Sequence, residues 1–462
     1  MQMLKQLGII SAFLLLCSPA YCQQPASVSV TRQANPHEFD ALDPHYLRTP
    51  YKDNLSEDEK IAGLSKMWAE VRYNFANFDL VPGLDWDSLY LACLPRVRQT
   101  KSTLEYYKIL MELCARLKDG HTNVYVPDKL MSEVYSRPPI RTALIEDKVI
   151  VTKVASQTLI NEGIKPGLEV VAIDNIPVKK YAEEYVAPYQ CTSTRQDLEV
   201  RSYIYALLSG SKDKDIELTL ADDKGLTFSK SVHRKAYKDA ASIAPPSFAY
   251  RVLQGNIGYV ELNSFEDPGV TAQFDSAFAD ISKTEALILD LRQNGGGMGN
   301  IGLKILSYLT DRKFKASRSK TRQYIPTFRA WEMGGSWFNM DSEEWNPNGN
   351  NLYTKPVVVL TSARTFSAAE DFCVAFDFMK RGIIIGEPTG GSTGQPLLLG
   401  LPGGGTLRIC TKRDTYPDGK EFVGVGIQPN IIVHQTVSDF RNGTDTVLNR
   451  ALDELKKSMI QK

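Results

Sequence analysis

The sequence predicts an α/β fold in which a helical segment and a strand-rich segment precede a sheet core. Between Gly258 and Val433, short apolar strands alternate with stretches of helical apolar spacing, which is typical of a sheet with crossover helices. Residues 55–135 have helical spacing, whereas residues 136–237 have the pattern of short strands. The chain has 462 residues, which is long enough for two or three domains with separate hydrophobic cores.

Residues 1–22 have the pattern of a secretory signal peptide. Lys5 precedes a short apolar stretch, residues 7–16, and we expect cleavage after Cys22. That stretch is too short to span a membrane, and no later apolar run is long enough. Residues 23–54 are polar and aperiodic, so we expect a linker. The sequence therefore predicts an exported protein, periplasmic or extracellular.

A lipid-anchored form is the alternative for the exported protein. Cys17 and Cys22 stand where a lipidated cysteine could follow the apolar stretch. The residues before them, Leu16 and Tyr21, are larger than the residue that normally precedes a lipidated cysteine. We therefore favour soluble export.

Residues 55–135 are predicted to form an N-terminal helical domain. Its first helix has a capping box at Ser56 and Glu59, followed by apolar residues at helical spacing. These apolar residues are Ile61, Leu64, Trp68, Val71 and Phe75. The domain is predicted to end in the loop that contains His121.

Residues 136–237 are predicted to form a strand-rich domain. The stretch 163–174 resembles the Gly-Leu-x-x-Gly-Asp-x-Ile-x-x-Ile-x-Gly stretch of PDZ domains. That resemblance implies a module that adds an extended peptide to a sheet edge, with Leu159 and Ile160 lining its apolar pocket. The alternative is a sheet module that acts only as a spacer.

Residues 245–462 are predicted to form the core domain, and its last part is expected to be a docked amphipathic helix. The apolar face of that helix contains Val447, Leu448, Ala451, Leu452 and Leu455. Residues 320–353 combine three of the five tryptophans with glycine, asparagine and proline. We predict a lid or substrate wall there, with Trp331 and Trp337 contacting the substrate. A satellite hydrophobic cluster is the alternative.

Ser367 is the first candidate for chemistry. It lies between the apolar run 357–360 and a stretch of helical spacing that begins at Ala369, which places it at a strand-to-helix junction. A hydroxyl there can act as a nucleophile whose oxyanion is met by backbone N–H groups and the positive end of the helix. The alternative is that Ser367 only caps the helix, with Glu370 completing a capping box.

Three further motifs accompany this serine. Residues 287–297 run from an apolar strand into an arginine, an asparagine and three glycines, a pattern that lets backbone N–H groups approach an anion. The stretch 386–394 follows another apolar strand, residues 383–385, and the stretch 424–430 ends the same region. The order and spacing of these motifs resemble the C-terminal processing (tail-specific) serine protease family, in its branch with the tricorn protease core and the interphotoreceptor retinoid-binding protein. The resemblance is strongest over residues 255–433.

The resemblance implies a ClpP/crotonase-like core and an acyl-enzyme formed on Ser367. It also implies that the backbone N–H groups of Gly296 and Ala368 form the oxyanion hole. The bacterial branch of the family uses a lysine as general base, but the matching position here is Ser392. We assign Ser392 to substrate binding, and a different base must take the proton from Ser367.

By the same resemblance, His121 is that base. The stretch 118–122, Lys-Asp-Gly-His-Thr, resembles the Asp-x-His motif of the tricorn-like branch, in which the histidine is the catalytic base. In that branch a serine before the histidine and a distant glutamate share the work of orienting the imidazole. The preceding position here is Gly120, and Glu421 lies near the family's glutamate. The alternative for Glu421 is a solvated strand residue.

Composition excludes several other classes of function. The chain has 54 basic and 54 acidic residues and a formal net charge of zero, so we expect no nucleic-acid partner. The five cysteines after the predicted cleavage site have no metal-binding spacing. We expect no metal or organic cofactor, because an acyl-enzyme route with a histidine base needs none. A Cys93–Cys114 disulfide and the oligomeric state are left open.

The sequence therefore predicts an exported serine peptidase that cuts peptides or unfolded protein tails, with Ser367 as nucleophile and His121 as base. One alternative is a catalytically silent protein that binds a peptide or a lipophilic ligand on the same scaffold. Another is transfer of an acyl group other than a peptide, because crotonase-type cores also support thioester chemistry.

Overall fold

The computed structural model describes residues 46–237, 244–349 and 351–460, so the predicted signal peptide 1–22 lies outside the described residues. The helices are α1 (Glu57–Asn74), α2 (Trp86–Gln99), α3 (Thr103–Ala115), α4 (Met131–Val134), α5 (Gln157–Asn161), α6 (Val178–Tyr181), α7 (Arg195–Glu199), α8 (Gly269–Ile281), α9 (Gly299–Ser307), α10 (Pro326–Ala330), α11 (Ala368–Phe378), α12 (Val437–Arg441) and α13 (Thr446–Ile460). The strands are β1 (Asn123–Tyr125), β2 (Ile140–Ile145), β3 (Lys148–Val154), β4 (Glu169–Ile173), β5 (Ile176–Pro177), β6 (Ile216–Ala221), β7 (Thr227–Val232), β8 (Phe248–Leu253), β9 (Ile257–Leu262), β10 (Ala286–Asp290), β11 (Phe314–Lys315), β12 (Arg318–Gln323), β13 (Ser336–Met340), β14 (Glu344–Trp345), β15 (Val357–Thr361), β16 (Ile383–Gly386), β17 (Pro396–Gly400), β18 (Thr406–Cys410), β19 (Lys412–Thr415) and β20 (Ile431–Ile432). The predicted mixed α/β class is confirmed.

The first three helices form a layer whose core includes residues of a much later hairpin. α1 begins at the predicted capping box, in which the Glu59 N–H donates to Ser56 Oγ (3.3 Å) and the Ser56 N–H donates to the Glu59 carboxylate (2.9 Å). Buried side chains of α1, α2 and α3 share one hydrophobic cluster with Leu407 and Ile409 of β18. β1 starts two residues after His121 and pairs antiparallel with β18. This pairing joins the helical layer to the rest of the molecule.

A second antiparallel sheet lies between the helical layer and the core in the sequence. Its strand order is β2-β3-β4-β6-β7, and β5 pairs with β4. It has its own hydrophobic cluster, which includes Val149, Val151 and Ile164. The predicted strand-rich character of this segment is therefore present, whereas the resemblance to PDZ domains and the domain boundaries stay predictions.

The core is a six-stranded sheet with the order β20-β16-β15-β10-β9-β8. Its strands are parallel except for β8, which runs antiparallel to β9. Leu287 and Leu289 of β10 pack with α8, α9 and α11, whereas Ala286 and Ile288 pack with α13. Helices thus cover both faces, as the continuous apolar strands of a parallel sheet require. The predicted amphipathic helix near the C-terminus is α13, and it docks on this sheet.

Two further expectations concern a disulfide between Cys93 and Cys114 and the absence of membrane-spanning helices. Cys93 and Cys114 are both buried free thiols, so the disulfide that the sequence left open is not formed. Among the described residues, no helix has the length and apolarity needed to cross a membrane.

Replacing Leu289 with alanine tests the assignment of the core. Leu289 is completely buried in the central strand, so Leu289→Ala should lower the free energy of unfolding by about 2–5 kcal/mol through lost packing and a residual cavity. Leu226 is 69% exposed, and Leu226→Ala should change it by less than about 0.5 kcal/mol. Urea unfolding followed by circular dichroism measures both variants. Equal losses in the two variants would contradict the assignment.

Candidate active site

Ser367 lies in a strained turn between β15 and α11. Its backbone has φ 58° and ψ −126°, a conformation that non-glycine residues rarely adopt and that is often found at functional sites. A hydrogen bond anchors the turn to the segment after β10, since Thr365 Oγ1 donates to the Leu291 carbonyl (2.9 Å). The Ser367 N–H donates to the Ser392 carbonyl (3.2 Å) and to Glu370 (3.1 Å). These hydrogen bonds hold the backbone of the turn in this conformation.

His121 lies against this hydroxyl, although 246 residues separate the two in the sequence. Its Nε2 is 2.9 Å from Ser367 Oγ, and its ring is stacked on Phe366 with the ring centres 4.9 Å apart. The backbone of the loop is fixed by Asp119, whose carboxylate accepts from the His121 N–H (2.9 Å) and from Thr122 Oγ1 (2.9 Å). The structure therefore brings together the predicted nucleophile and the predicted base.

Ser392 holds the other side of the imidazole. Its Oγ is 2.8 Å from His121 Nδ1, and both side chains are buried. If Nδ1 carries the proton and donates to Ser392, the lone pair of Nε2 is left to accept the proton of Ser367. The prediction assigned Ser392 to substrate binding. That assignment is wrong in this geometry, because Ser392 is completely buried behind the histidine and does not line the cavity.

The capping-box alternative for Ser367 assigned Glu370 to helix capping, but its carboxylate makes further contacts. It is fully buried and accepts four hydrogen bonds, two on each oxygen. The donors are Thr389 Oγ1 (2.5 Å) and the Gly391 N–H (2.8 Å) on one oxygen, and the Ser392 N–H (3.0 Å) and the Ser367 N–H (3.1 Å) on the other. Burial raises the pKa of Glu370, whereas its four donors lower it by stabilising the ionised carboxylate. One carboxyl group thus fixes the backbone of both serines that contact His121.

Glu421 does not contact His121, so its predicted role in orienting the imidazole is wrong. It pairs with Lys320 (2.6 Å) and approaches Arg413 (3.5 Å), and its side chain is 43% exposed. Residue 421 forms an isolated bridge with Thr415, the last residue of β19. This bridge sets the carboxylate beside the cations of β12 and β19.

The glycine run packs directly against Ser367. A Cβ atom at Gly296 would lie 2.6 Å from Ser367 Cβ and 3.0 Å from the Ala368 nitrogen, so only glycine fits there. The Gly296 N–H donates to Asn294 Oδ1 (2.8 Å), so the N–H predicted for the oxyanion hole already has a partner. Ala368 is the first residue of α11, where backbone N–H groups lack a partner within the helix.

A cavity of about 400 Å³ opens beside Ser367 and His121. Its aromatic walls are Tyr125, Tyr205 and Phe366. Neither of the tryptophans that we predicted to contact the substrate lines it, and that prediction is wrong. Trp331 is 65% exposed and stacks on Phe328, and Trp337 packs under Lys320 and Arg413. Pairing of β12 with both β13 and β19 holds that hairpin as part of a separate small sheet.

The surroundings of His121 favour its neutral form. Burial lowers the pKa of His121 well below its ordinary value, and the positive charges of Arg408, Arg201 and Lys412 lower it further. An imidazole that stays neutral at neutral pH can accept a proton, which is what a general base must do. In the part of the chain that the structure describes, no cluster of His, Cys, Asp and Glu side chains is arranged to hold a metal ion.

Comparison with known proteins finds similar sequences among peptidases. Residues 256–433 match the model of peptidase family S41. The chain is 26% identical over 289 residues to a chloroplastic C-terminal processing peptidase of Tetradesmus obliquus, covering 62% of this chain and 56% of the relative. It is 26% identical over 209 residues to a carboxy-terminal-processing protease of Bartonella bacilliformis, covering 44% of each chain. The chain thus spans about half the length of these two relatives.

Solved structures show the same fold. Mature CPAF, in complex with lactacystin, superposes with a TM-score of 0.69 at 17% identity, covering 88% of this chain and 98% of that one. A putative peptidase from Parabacteroides merdae superposes with a TM-score of 0.52 at 19% identity, covering 87% of this chain and 97% of that one.

Replacing Glu370 with glutamine tests its role in holding the two serines. Either orientation of the amide would set its NH2 group against at least one backbone N–H, so Glu370→Gln should lower the free energy of unfolding by about 1–3 kcal/mol. Glu343 is exposed, and Glu343→Gln should change the free energy of unfolding by less than about 0.5 kcal/mol. Urea unfolding measures both. Unchanged stability of Glu370→Gln would show that the four hydrogen bonds are not made in solution.

Proposed function

Because residues 256–433 match the model of peptidase family S41 and Ser367 Oγ lies 2.9 Å from His121 Nε2, we propose that the chain is a serine peptidase that cuts peptides or unfolded protein tails. The contact between these two atoms is the observation that carries the proposal. A serine hydroxyl is a weak nucleophile unless a neighbouring base takes its proton, and no other histidine contacts Ser367 in the described part of the chain.

The geometry supports an acyl-enzyme mechanism. Nε2 of His121 accepts the hydroxyl proton as Ser367 Oγ attacks the scissile carbonyl carbon, and the imidazolium then donates that proton to the leaving amine. A water molecule, activated by the same nitrogen, hydrolyses the resulting ester. Ser392 fixes the ring by accepting from Nδ1–H throughout. Its hydroxyl is neutral, so it orients the imidazole without offsetting the charge that the ring acquires.

The oxyanion is stabilised at the start of α11. The Ala368 N–H is adjacent to the nucleophile, and the N-terminal end of the helix carries a partial positive charge. The second donor comes from the glycine run. For Gly296 to be that donor, its hydrogen bond to Asn294 must open or be shared when the oxyanion forms. Gly295 and Gly297 also line the cavity.

Two further parts of the proposal concern the rest of the chain. The sheet of residues 136–237 acts as a PDZ-like module that adds an extended peptide at one of its edge strands, β2 or β7. Residues 1–22 direct export to the periplasm or the extracellular space. A catalytically silent binding protein is less well supported, since such a protein has no need for a strained serine hydrogen-bonded to a buried histidine.

Replacing the nucleophile tests the proposal directly. Ser367→Ala should reduce kcat/KM for a cut peptide by at least about a thousandfold, because the acyl-enzyme cannot form. The same variant should lose labelling by a fluorophosphonate. Ser438→Ala, at an exposed position of α12, is the control and should keep both activities. Hydrolysis that survives in Ser367→Ala would exclude Ser367 as nucleophile.

The pH dependence tests His121 as the base. Protonation removes its ability to accept the serine proton, and its pKa lies well below 6.5 because of burial and neighbouring cations. The plot of kcat/KM against pH should therefore rise with a midpoint below 6.5 and be level near pH 7. Steady-state kinetics from acid to neutral pH measures this. A midpoint above 6.5 would contradict the neutral, buried histidine.

A further inference from the structure

The edge of the His121 ring meets two neutral groups. Its Nε2 lies 2.9 Å from Ser367 Oγ, and its Nδ1 lies 2.8 Å from Ser392 Oγ. The carboxylate of Asp119 accepts from the backbone N–H of His121 and not from the ring. A proton taken from Ser367 would give the ring a positive charge that neither hydroxyl offsets. The faces of the ring are the places left for a group that could stabilise this charge.

The ring of Phe366 covers one face of the imidazole. The two ring centres are 4.9 Å apart, and the ring planes are inclined by only 10°. The face of a phenyl ring carries partial negative charge, so it attracts a cation that lies within about 6 Å of its centre. This attraction is strongest where water is excluded, and His121 is buried. The stacked geometry therefore favours a protonated imidazole.

The ring of Phe366 also lies close to a permanent cation. The Cζ atom of Arg201 is 5.3 Å from the ring centre. Arg201 pairs with Asp197 (2.9 Å) and donates to the Gly120 carbonyl (3.1 Å), so its own charge is already offset. The ring thus contacts one paired cation and one side chain that becomes a cation when it accepts a proton.

Two glycines leave room for the ring of Phe366. A Cβ atom at position 120 would lie 2.8 Å from Phe366 Cζ, and one at position 390 would lie 2.6 Å from Cδ2. Interiors are close-packed, so a side chain at either position would displace the ring. The tricorn-like branch places a serine before the histidine, and the position of Phe366 explains why Gly120 stands there instead. Three distant segments of the chain are thus fitted to this stack.

We propose that Phe366 stabilises the protonated form of His121 through the face of its ring and so speeds proton transfer from Ser367. The inference rests on the proposed peptidase function and adds to it a positioning residue that acts through His121. As Ser367 Oγ bonds to the carbonyl carbon, its O–H bond breaks, the proton moves to Nε2, and the carbonyl oxygen takes the electron pair. The phenyl face attracts the imidazolium formed in this step more than the neutral ring before it, so the gain is in kcat.

Fluorination of the Phe366 ring tests this attraction with little change of shape. Monofluoro-, difluoro- and pentafluorophenylalanine, incorporated at position 366, withdraw electron density from the ring face in steps. The kcat for a peptide substrate should fall at each step, by about three- to thirtyfold for the pentafluoro ring, whereas KM should change little. Steady-state kinetics measures both constants. Thermal unfolding shows that each variant is folded.

Two further sets of variants accompany this series. The same fluorinated residues at Phe338, which is 52% exposed on β13 and does not line the cavity, are the control and should leave kcat unchanged. Phe366→Leu removes the aromatic face altogether and should lower kcat at least as far as the pentafluoro ring does. The fluorinated series keeps the test valid if Phe366→Leu does not fold.

The outcomes separate this inference from the proposed function. Equal kcat values in the wild-type protein and the folded fluorinated variants would overturn the inference, while the peptidase function stands. A loss of the same size in all three variants would show that Phe366 only fills space, and would also overturn it. The rate at which a fluorophosphonate labels Ser367 needs the same proton transfer but no peptide. A stepwise fall of that rate in a protein that cuts no peptide would support the inference and count against the peptidase function.

Discussion

The contact between Ser367 and His121 depends on the pairing of β1 with β18. The histidine belongs to a helical layer near the start of the chain, whereas the serine belongs to the parallel sheet. β1 follows the histidine by two residues, and its register against β18 helps to fix the histidine loop next to Ser367. The shared hydrophobic cluster of the first helices and β18 stabilises that register, because a shift would expose buried side chains.

Glu370 fixes the position of Ser367, as the pairing of β1 with β18 fixes that of His121. A carboxylate can accept from four donors, and here the four donors come from the nucleophile turn and from the loop of residues 389–392. The strained backbone of Ser367 is thus held by a buried polar group that is fully satisfied. Such networks specify one arrangement of a site more strongly than apolar packing does.

Sequence patterns predicted the features that are local. The alternation of strands and helices, the capping box at Ser56 and the turn at Ser367 each depend on neighbouring residues. The pairing of Ser367 with His121 was reached only through family resemblance. Sequence reasoning did not find Ser392 as the partner of His121 Nδ1. It considered only the positions that match the family's orienting residues, Gly120 and Glu421, whereas Ser392 reaches the ring from a distant loop. The tryptophans were misassigned because exposure of an aromatic residue cannot be read from its spacing.

The neutral hydroxyl behind His121 has a consequence for catalysis. In sites that place a carboxylate there, the protein itself supplies a counter-charge for the imidazolium. Here Ser392 has no charge to offer, and nearby arginines oppose the protonated ring. A negative group that a ligand brings into this cavity would therefore favour the protonated imidazole, so that the ligand itself would supply the counter-charge that Ser392 does not.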